Sequence, residues 1–150
     1  MNSLILAALL CANVFAGTTD APKASTKKRE KHMAIQWDGA TNGGAQARAE
    51  LIFTEEQWRE TWKNLDRPAP PVDLKTHVAA VVFLGQRRTG GYSVEWLSPA
   101  EAKNAFVIKW REKTPEEDAM VMQMITDPWS IRLYPRSPKA IHLEKEAGAK

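Results

Sequence analysis

Cysteine is nearly absent from this chain, and its scarcity excludes several kinds of chemistry. The single cysteine, Cys11, lies inside an apolar N-terminal stretch with the pattern of a cleavable signal. Once such a signal is removed, the protein has no disulfide, no thiol nucleophile and no thiolate ligand for a metal. Thiol redox chemistry is therefore excluded.

Histidine is also scarce, and motifs for metal binding or catalysis are lacking. The three histidines, His32, His77 and His142, have no second ligand at a helical spacing. No serine occupies a G-x-S-x-G motif, and the acidic run 116–118 offers too few oxygen ligands for a calcium loop. We therefore expect a protein that is not an enzyme and that holds no metal and no cofactor.

The sequence gives little support for nucleotide or nucleic-acid binding. Residues 85–90 match the first half of a phosphate-binding loop, but Gly91 and Tyr92 occupy the positions that need a lysine and a hydroxyl residue. A strand pattern follows, where a helix should begin. The 21 Lys and Arg residues are offset by 18 Asp and Glu residues, so the net charge of +3 does not indicate a nucleic-acid partner.

Apolar runs are too short for a permanent membrane span, which needs about 20 residues. The stretch 4–10 is instead typical of a signal peptide covering residues 1–16, with cleavage after Ala16. Leu10 is bulky where a lipoprotein signal needs a small residue before Cys11. We expect export to the periplasm, the cell envelope or the extracellular space, with no transmembrane segment in the mature chain.

Residues 17–31 are polar and basic, and none of their side chains favours burial. The pattern indicates a disordered basic linker. The alternative is electrostatic attachment to an anionic membrane surface or polyanion through Lys27, Lys28, Arg29 and Lys31. Residues 32–146 then form a single β-rich domain.

One helix is predicted in this domain, from about Glu55 to Leu65. Thr54 and Gln57 form a capping box at its start, and Trp58 and Trp62 share a face that should be buried. The prolines at 68, 70 and 71 end helical structure.

Strand patterns fill most of the remaining domain. Val78–Leu84 is apolar on both faces, which predicts a central strand. The first two strands, joined by the glycine-rich turn 38–44, fit a hairpin. The fold class is mainly β or α+β, an antiparallel sandwich or partly open barrel of about six to eight strands with one helix packed on it. The other strands, apart from 78–84, are predicted at 33–37, 46–53, 92–96, 106–111, 129–133 and 141–143.

A further strand is predicted where Met120, Met122 and Met124 alternate with other residues. One face of this strand would consist entirely of thioethers. We interpret the stripe as adaptable core, with a soft binding surface or a Cu(I) site as the alternatives.

The glycine pair Gly90-Gly91 marks a turn that another chain can approach closely. Arg87 and Arg88 supply hydrogen-bond donors there, and Tyr92 follows. The alternative is a plain β-hairpin connection that happens to be rich in glycine.

The segment Phe83–Val94, with Thr89-Gly90-Gly91-Tyr92 at its centre, resembles the signature of the PrcB C-terminal domain family. Arg88 stands where that signature usually has a proline, and Pro128-Trp129 resembles a Pro-aromatic pair in the family's closing segment. The likeness covers roughly residues 72–143. It implies a non-enzymatic subunit that accompanies a subtilisin-like or other envelope protease and supports its assembly or stability.

Two alternatives remain open. Thr89-Gly90-Gly91-Tyr92 and Pro128-Trp129 also resemble loops of chagasin-like inhibitors of cysteine proteases, which implies direct inhibition with Trp129 as an aromatic anchor. Arg87, Arg88 and the linker could instead bind an envelope polyanion or glycan. The leading prediction is a protein partner bound by these residues: Arg87, Arg88, Thr89, Gly90, Gly91, Tyr92, Pro128 and Trp129.

Overall fold

The computed structural model describes residues 35–148. The predicted signal peptide 1–16, the predicted linker 17–31 and the start of the predicted first strand lie outside the described residues. Within 35–148 the chain forms these elements in order: β1 (Gln36–Gly39), β2 (Arg48–Ile52), α1 (Glu55–Asn64), β3 (His77–Phe83), β4 (Ser93–Trp96), β5 (Ala100–Glu101), β6 (Ala105–Lys113), β7 (Trp129–Pro135) and β8 (Ala140–Lys145).

The first sheet is antiparallel, with the strand order β1-β7-β3-β2. Strands β3 and β7 are its centre, in a register that pairs Val81 with Ile131. The predicted hairpin between the first two strands is wrong, because β1 pairs with β7 while β2 pairs with β3 at the opposite edge. The glycine-rich segment 40–47 therefore connects the two edges of the sheet.

Strand β3 is buried on both faces, as its continuous apolar sequence predicts. Ala79, Val81 and Phe83 contribute to the core on one face of the sheet. Val78, Ala80 and Val82 contribute to the core on the other. Because β-branched side chains pack well on a pleated surface, this composition suits a strand enclosed by two layers.

The second sheet is built on β6. Strands β4 and β5 pair with it antiparallel and β8 pairs with it in parallel. Its inward side chains, among them Val94, Ile108 and Trp110, meet the second face of the first sheet. The two sheets enclose one core between them, which makes a sandwich rather than a closed barrel.

Helix α1 covers the outer face of the first sheet. Its cap forms as predicted, since the Gln57 amide donates to the Thr54 side chain at 3.3 Å and Glu55 and Glu56 lie in the first turn. Trp58 and Trp62 are both buried against the sheet. The predicted fold class, a sheet sandwich with one helix packed on it, is confirmed.

Strand β7 differs from its prediction in one respect. In its sequence Trp129, Ile131 and Leu133 alternate with Ser130 and Arg132, which predicts a half-buried strand with Ser130 facing out, but Ser130 is fully buried between the sheets. The Trp96 indole donates a hydrogen bond to the Ser130 hydroxyl at 2.7 Å, which satisfies the buried oxygen. Within residues 35–148 no helix has the length and apolar character of a membrane span.

Candidate functional site

The glycine turn lies beside a second irregular segment, and together they form one surface. We call residues 87–92 the glycine turn and residues 120–125 the methionine loop. The Arg87 amide donates to the Thr126 carbonyl at 2.6 Å, and the Thr126 amide donates back at 2.9 Å. The Gly90 amide donates to the Met122 carbonyl at 2.9 Å. These bonds hold the loop against the turn.

Gly91 has a structural reason to be glycine. Its φ of 88° lies in the region that other residues rarely adopt, and a Cβ atom there would lie 2.8 Å from a methyl carbon of Val121. A Cβ on Gly90 would lie 3.6 Å from its nearest neighbour, which is ordinary contact. The turn therefore requires glycine at the second of the two positions.

The two arginines of the turn have different environments. Arg87 is half-buried and makes an ion pair with Glu112, with its Nε 2.9 Å and its Nη2 2.8 Å from the same carboxylate oxygen. Its guanidinium also lies 5.6 Å from the centre of the Tyr92 ring. Arg88 is exposed. Arg87 thus ties the turn to β6, whereas Arg88 faces solvent.

The methionine loop presents its thioethers to solvent. Met120 is fully exposed, Met122 is 69% exposed and Met124 is 43% exposed, and Ile125 is also exposed. The prediction of a core strand here is wrong: the segment belongs to no sheet, and its backbone bonds run to the glycine turn. The two alternatives, a soft binding surface and a Cu(I) site, both need accessible methionines, which agrees with this exposure.

Pro128 and Trp129, the other predicted site residues, are both buried. Trp129 begins β7, is only 2% exposed, and packs edge-on against Trp62 with 5.9 Å between ring centres. Its indole donates to the Thr41 carbonyl at 2.9 Å. The sequence predicted that Trp129 contacts a partner, but the ring is a core residue because β7 lies at the centre of the first sheet.

The structure brings one residue of the turn, Tyr92, and the Pro-Trp pair to one cleft. A cleft of about 400 Å³ lies between the start of β4 and the end of β1. Tyr92 and Val94 contribute to one side, and Gly39, Pro128 and the edge of Trp129 contribute to the other. Thr89, Gly90 and Tyr92 are half-buried and Gly91 is exposed, so the accessible part of the site is the glycine turn and the methionine loop.

An ion pair joins β4, which follows the glycine turn, to β6, which precedes the methionine loop. Arg111 on β6 donates to Glu95 on β4 at 2.7 Å, and this bond lowers the pKa of the Glu95 carboxyl below its ordinary value. Within the part of the chain that the structure describes, no group of three or more His, Cys, Asp or Glu side chains is placed to hold a metal ion.

The fold and this surface define the class of protein. It is a β-rich domain of two stacked sheets with one covering helix, and its accessible surface is formed by the glycine turn and the exposed apolar methionine loop. The family model described as PrcB C-terminal matches residues 78–131. The match runs from β3 into β7 and includes the glycine turn and the methionine loop, and it confirms the resemblance that the turn motif predicted. The comparisons with curated proteins and with solved structures found no match.

Proposed function

We propose that this chain is an exported, non-enzymatic subunit that binds a protease partner through the surface formed by the glycine turn and the methionine loop. Binding would support the assembly or stability of that protease. The partner class comes from the PrcB C-terminal match, and the surface comes from the geometry described above.

One observation carries the proposal. Three methionines and an isoleucine stand exposed in consecutive or alternating positions of one loop, although apolar side chains of this size normally contribute to a core. A contiguous exposed apolar patch is typical of a protein interface. Methionine suits such a surface, because its flexible, polarizable side chain adapts to the shape of a partner.

Export is part of the proposal and rests on the signal pattern of residues 1–16. Fractionation of the host cells should recover the protein outside the cytoplasm. Sequencing of its N-terminus should then begin at Gly17. A cytoplasmic chain that starts at residue 1 would contradict this part of the proposal.

The two alternative functions have less support. Inhibition of the chagasin type depended on Trp129 as an exposed anchor, and that ring lies in the core. Binding of a polyanion was predicted through Arg87, Arg88 and the linker. Arg87 is paired with Glu112, Arg88 is exposed, and the linker lies outside the described residues. No observation favours either alternative over a protein interface.

Affinity purification of the full-length tagged chain from its own host tests the proposal. We expect an envelope protease, of the subtilisin-like class or another, to co-purify, and its amount to fall when the gene for this chain is deleted. Met122→Asp should weaken the interaction by about tenfold or more, because it places a charge in the centre of an apolar contact.

The matched control is Ile35→Asp. Ile35 is also an exposed apolar residue, at 54%, but it precedes β1 and lies outside the proposed surface. It should retain the partner. Failure to recover any protease, or equal loss of binding in both variants, would refute the proposed surface.

A further inference from the structure

The methionine loop points to a ligand of a different class from a protein partner. We propose that Met120, Met122 and Met124 form a binding site for a soft monovalent metal ion, Cu(I), through their three thioether sulfurs. The inference uses the same loop but does not rest on the proposed function.

The first step is the direction of the side chains. Residues 120–123 belong to no helix or strand and Met124 lies at a bend, so exposure rather than strand alternation shows which side chains reach solvent. Val121 lies against the glycine turn, since its methyl carbon would be 2.8 Å from a Cβ on Gly91. Met120, Met122 and Met124 are 103%, 69% and 43% exposed, so all three side chains reach solvent.

The second step is reach. Residues two apart in a chain lie at most roughly 7 Å apart at their Cα atoms. Each methionine side chain is unbranched and flexible, with three rotatable bonds that end near a terminal sulfur. Three such side chains within five consecutive residues can converge on a single ion between them.

The third step is support for this arrangement by the fold. The Met122 carbonyl accepts a hydrogen bond from Gly90, and Thr126 exchanges two backbone bonds with Arg87. The Thr126 hydroxyl also donates to the Thr89 carbonyl at 2.9 Å. The Gly90 bond fixes the backbone at Met122 and the Thr126 bonds fix the end of the loop, while the methionine side chains are exposed.

The fourth step is chemistry. Thioether sulfur is a soft ligand that favours Cu(I), whereas Zn²⁺ favours imidazole, thiolate and carboxylate, and Ca²⁺ favours oxygen. The exposed residues Glu116, Glu117 and Asp118 precede the loop and attract a cation. Of the nearby arginines, Arg88 is exposed, and the charge of Arg87 is offset by Glu112.

Methionine methyl resonances in the full chain provide the test, with Ag(I) as a probe that has the same ligand preference and no redox chemistry of its own. The chain has five methionines, Met1, Met33, Met120, Met122 and Met124, and substitution assigns each signal. All samples carry Cys11→Ser, because a thiol would compete for the ion. We expect Ag(I) to shift the three loop methyls in a saturable manner and to leave those of Met1 and Met33 unchanged.

Conservative variants separate metal binding from apolar contact. Replacing all three loop methionines with leucine keeps the apolar surface and the volume but removes the sulfurs, and it should abolish the binding of Ag(I) and Cu(I). Met33→Leu is the matched control and should keep it. The triple variant should still bind a protein partner if that part of the proposed function is correct, so the two proposals can fail separately.

Three results would overturn the metal site. The loop methyls could stay unshifted by Ag(I), the triple leucine variant could bind the ion as well as the parent chain, or Zn²⁺ could produce the same shifts as Ag(I). Each result would show that the exposed sulfurs are not the ligands.

Discussion

The fold constrains the two adjacent glycines of the turn differently. Gly91 combines a positive φ with contacts that leave no space for a side chain, since a Cβ would approach both Val121 and Pro115 to less than 3.0 Å. Gly90 has neither constraint. At the scale of single residues, only the second glycine is fixed by backbone geometry.

Substitution of the two glycines should therefore have unequal effects. Gly91→Ala should lower the free energy of unfolding by about 1–3 kcal/mol, because alanine is strained at that φ and meets Val121. Gly90→Ala is the matched control and should change it by no more than about 1 kcal/mol in either direction. Urea unfolding followed by circular dichroism measures both values. Equal changes in the free energy of unfolding for the two variants would contradict the strain expected at position 91.

Sequence reasoning identified most of the turn but misjudged two of its neighbours. The residues of the glycine turn lie together at an accessible edge, as the motif indicated, and their role in binding remains a prediction. The accessibility of Trp129 to a partner was predicted wrongly, because a Pro-Trp pair at the start of a strand has the same sequence pattern whether that strand is central or at an edge. The burial of the methionines was predicted wrongly, because alternation shows which side chains share a side but not which side is buried.

Helix α1 shows how one element is fixed to a sheet by aromatic rings. Trp58 and Trp62 lie with ring centres 5.4 Å apart, and Trp37 of β1 lies 5.6 Å and 5.5 Å from them. Edge-to-face rings of this kind contribute beyond the burial of their area. The two helix tryptophans differ in hydrogen bonding: the Trp58 indole donates to the Pro70 carbonyl at 2.9 Å, while the buried Trp62 nitrogen has no partner among the described residues.

This difference predicts unequal costs for the same substitution. Trp58→Phe removes a hydrogen bond and leaves a carbonyl unpaired, whereas Trp62→Phe removes a buried donor that is already unpaired. We expect Trp58→Phe to be the more destabilising by about 1 kcal/mol. Each variant loses the same indole volume, so each is the control for the other in a urea unfolding series. A larger loss for Trp62→Phe would contradict the assignment.

At the scale of elements, the sequence predicted where the helix and strands lie better than it predicted which strands pair. The cap at Thr54, the helix face and the central strand 78–84 all depend on local pattern, and all are confirmed. The prediction of a hairpin between β1 and β2 was wrong because strand pairing depends on residues far away in the chain. Gln36 pairs with Arg132, which no local pattern reveals.

The whole molecule depends on the core between its two sheets, and Tyr134 is a buried ionisable side chain within that core. It is buried there against Trp96, with 6.2 Å between ring centres. Burial raises the pKa of its phenol above the ordinary value of 10.0, and the charge of Arg132 offsets part of that effect. The phenol oxygen has no hydrogen-bond partner among residues 35–148.

Alkaline pH should therefore lower the free energy of unfolding. Because the folded pKa lies above the unfolded one, the folded state binds the proton more tightly, and stability falls as the pH rises past 10.0. Tyr134→Phe cannot ionise, so its unfolding free energy should fall less than that of the parent chain between pH 8 and pH 11. Tyr92→Phe, a change at the half-buried tyrosine of the turn, is the control and should behave like the parent chain. If Tyr134→Phe shows the same alkaline loss, the phenol is not responsible.

The position of β7 has a consequence for biosynthesis. This strand spans residues 129–135 yet lies between β1 and β3, so the first sheet cannot close while its central member is still inside the ribosome. An incomplete chain has β1 without its neighbour and β3 with one edge unpaired, and such long-range pairing forms slowly. For a chain exported as we propose, the delay keeps the polypeptide unfolded long enough to be threaded through a secretion channel. Under that proposal, the strand order postpones folding until the chain has crossed the membrane.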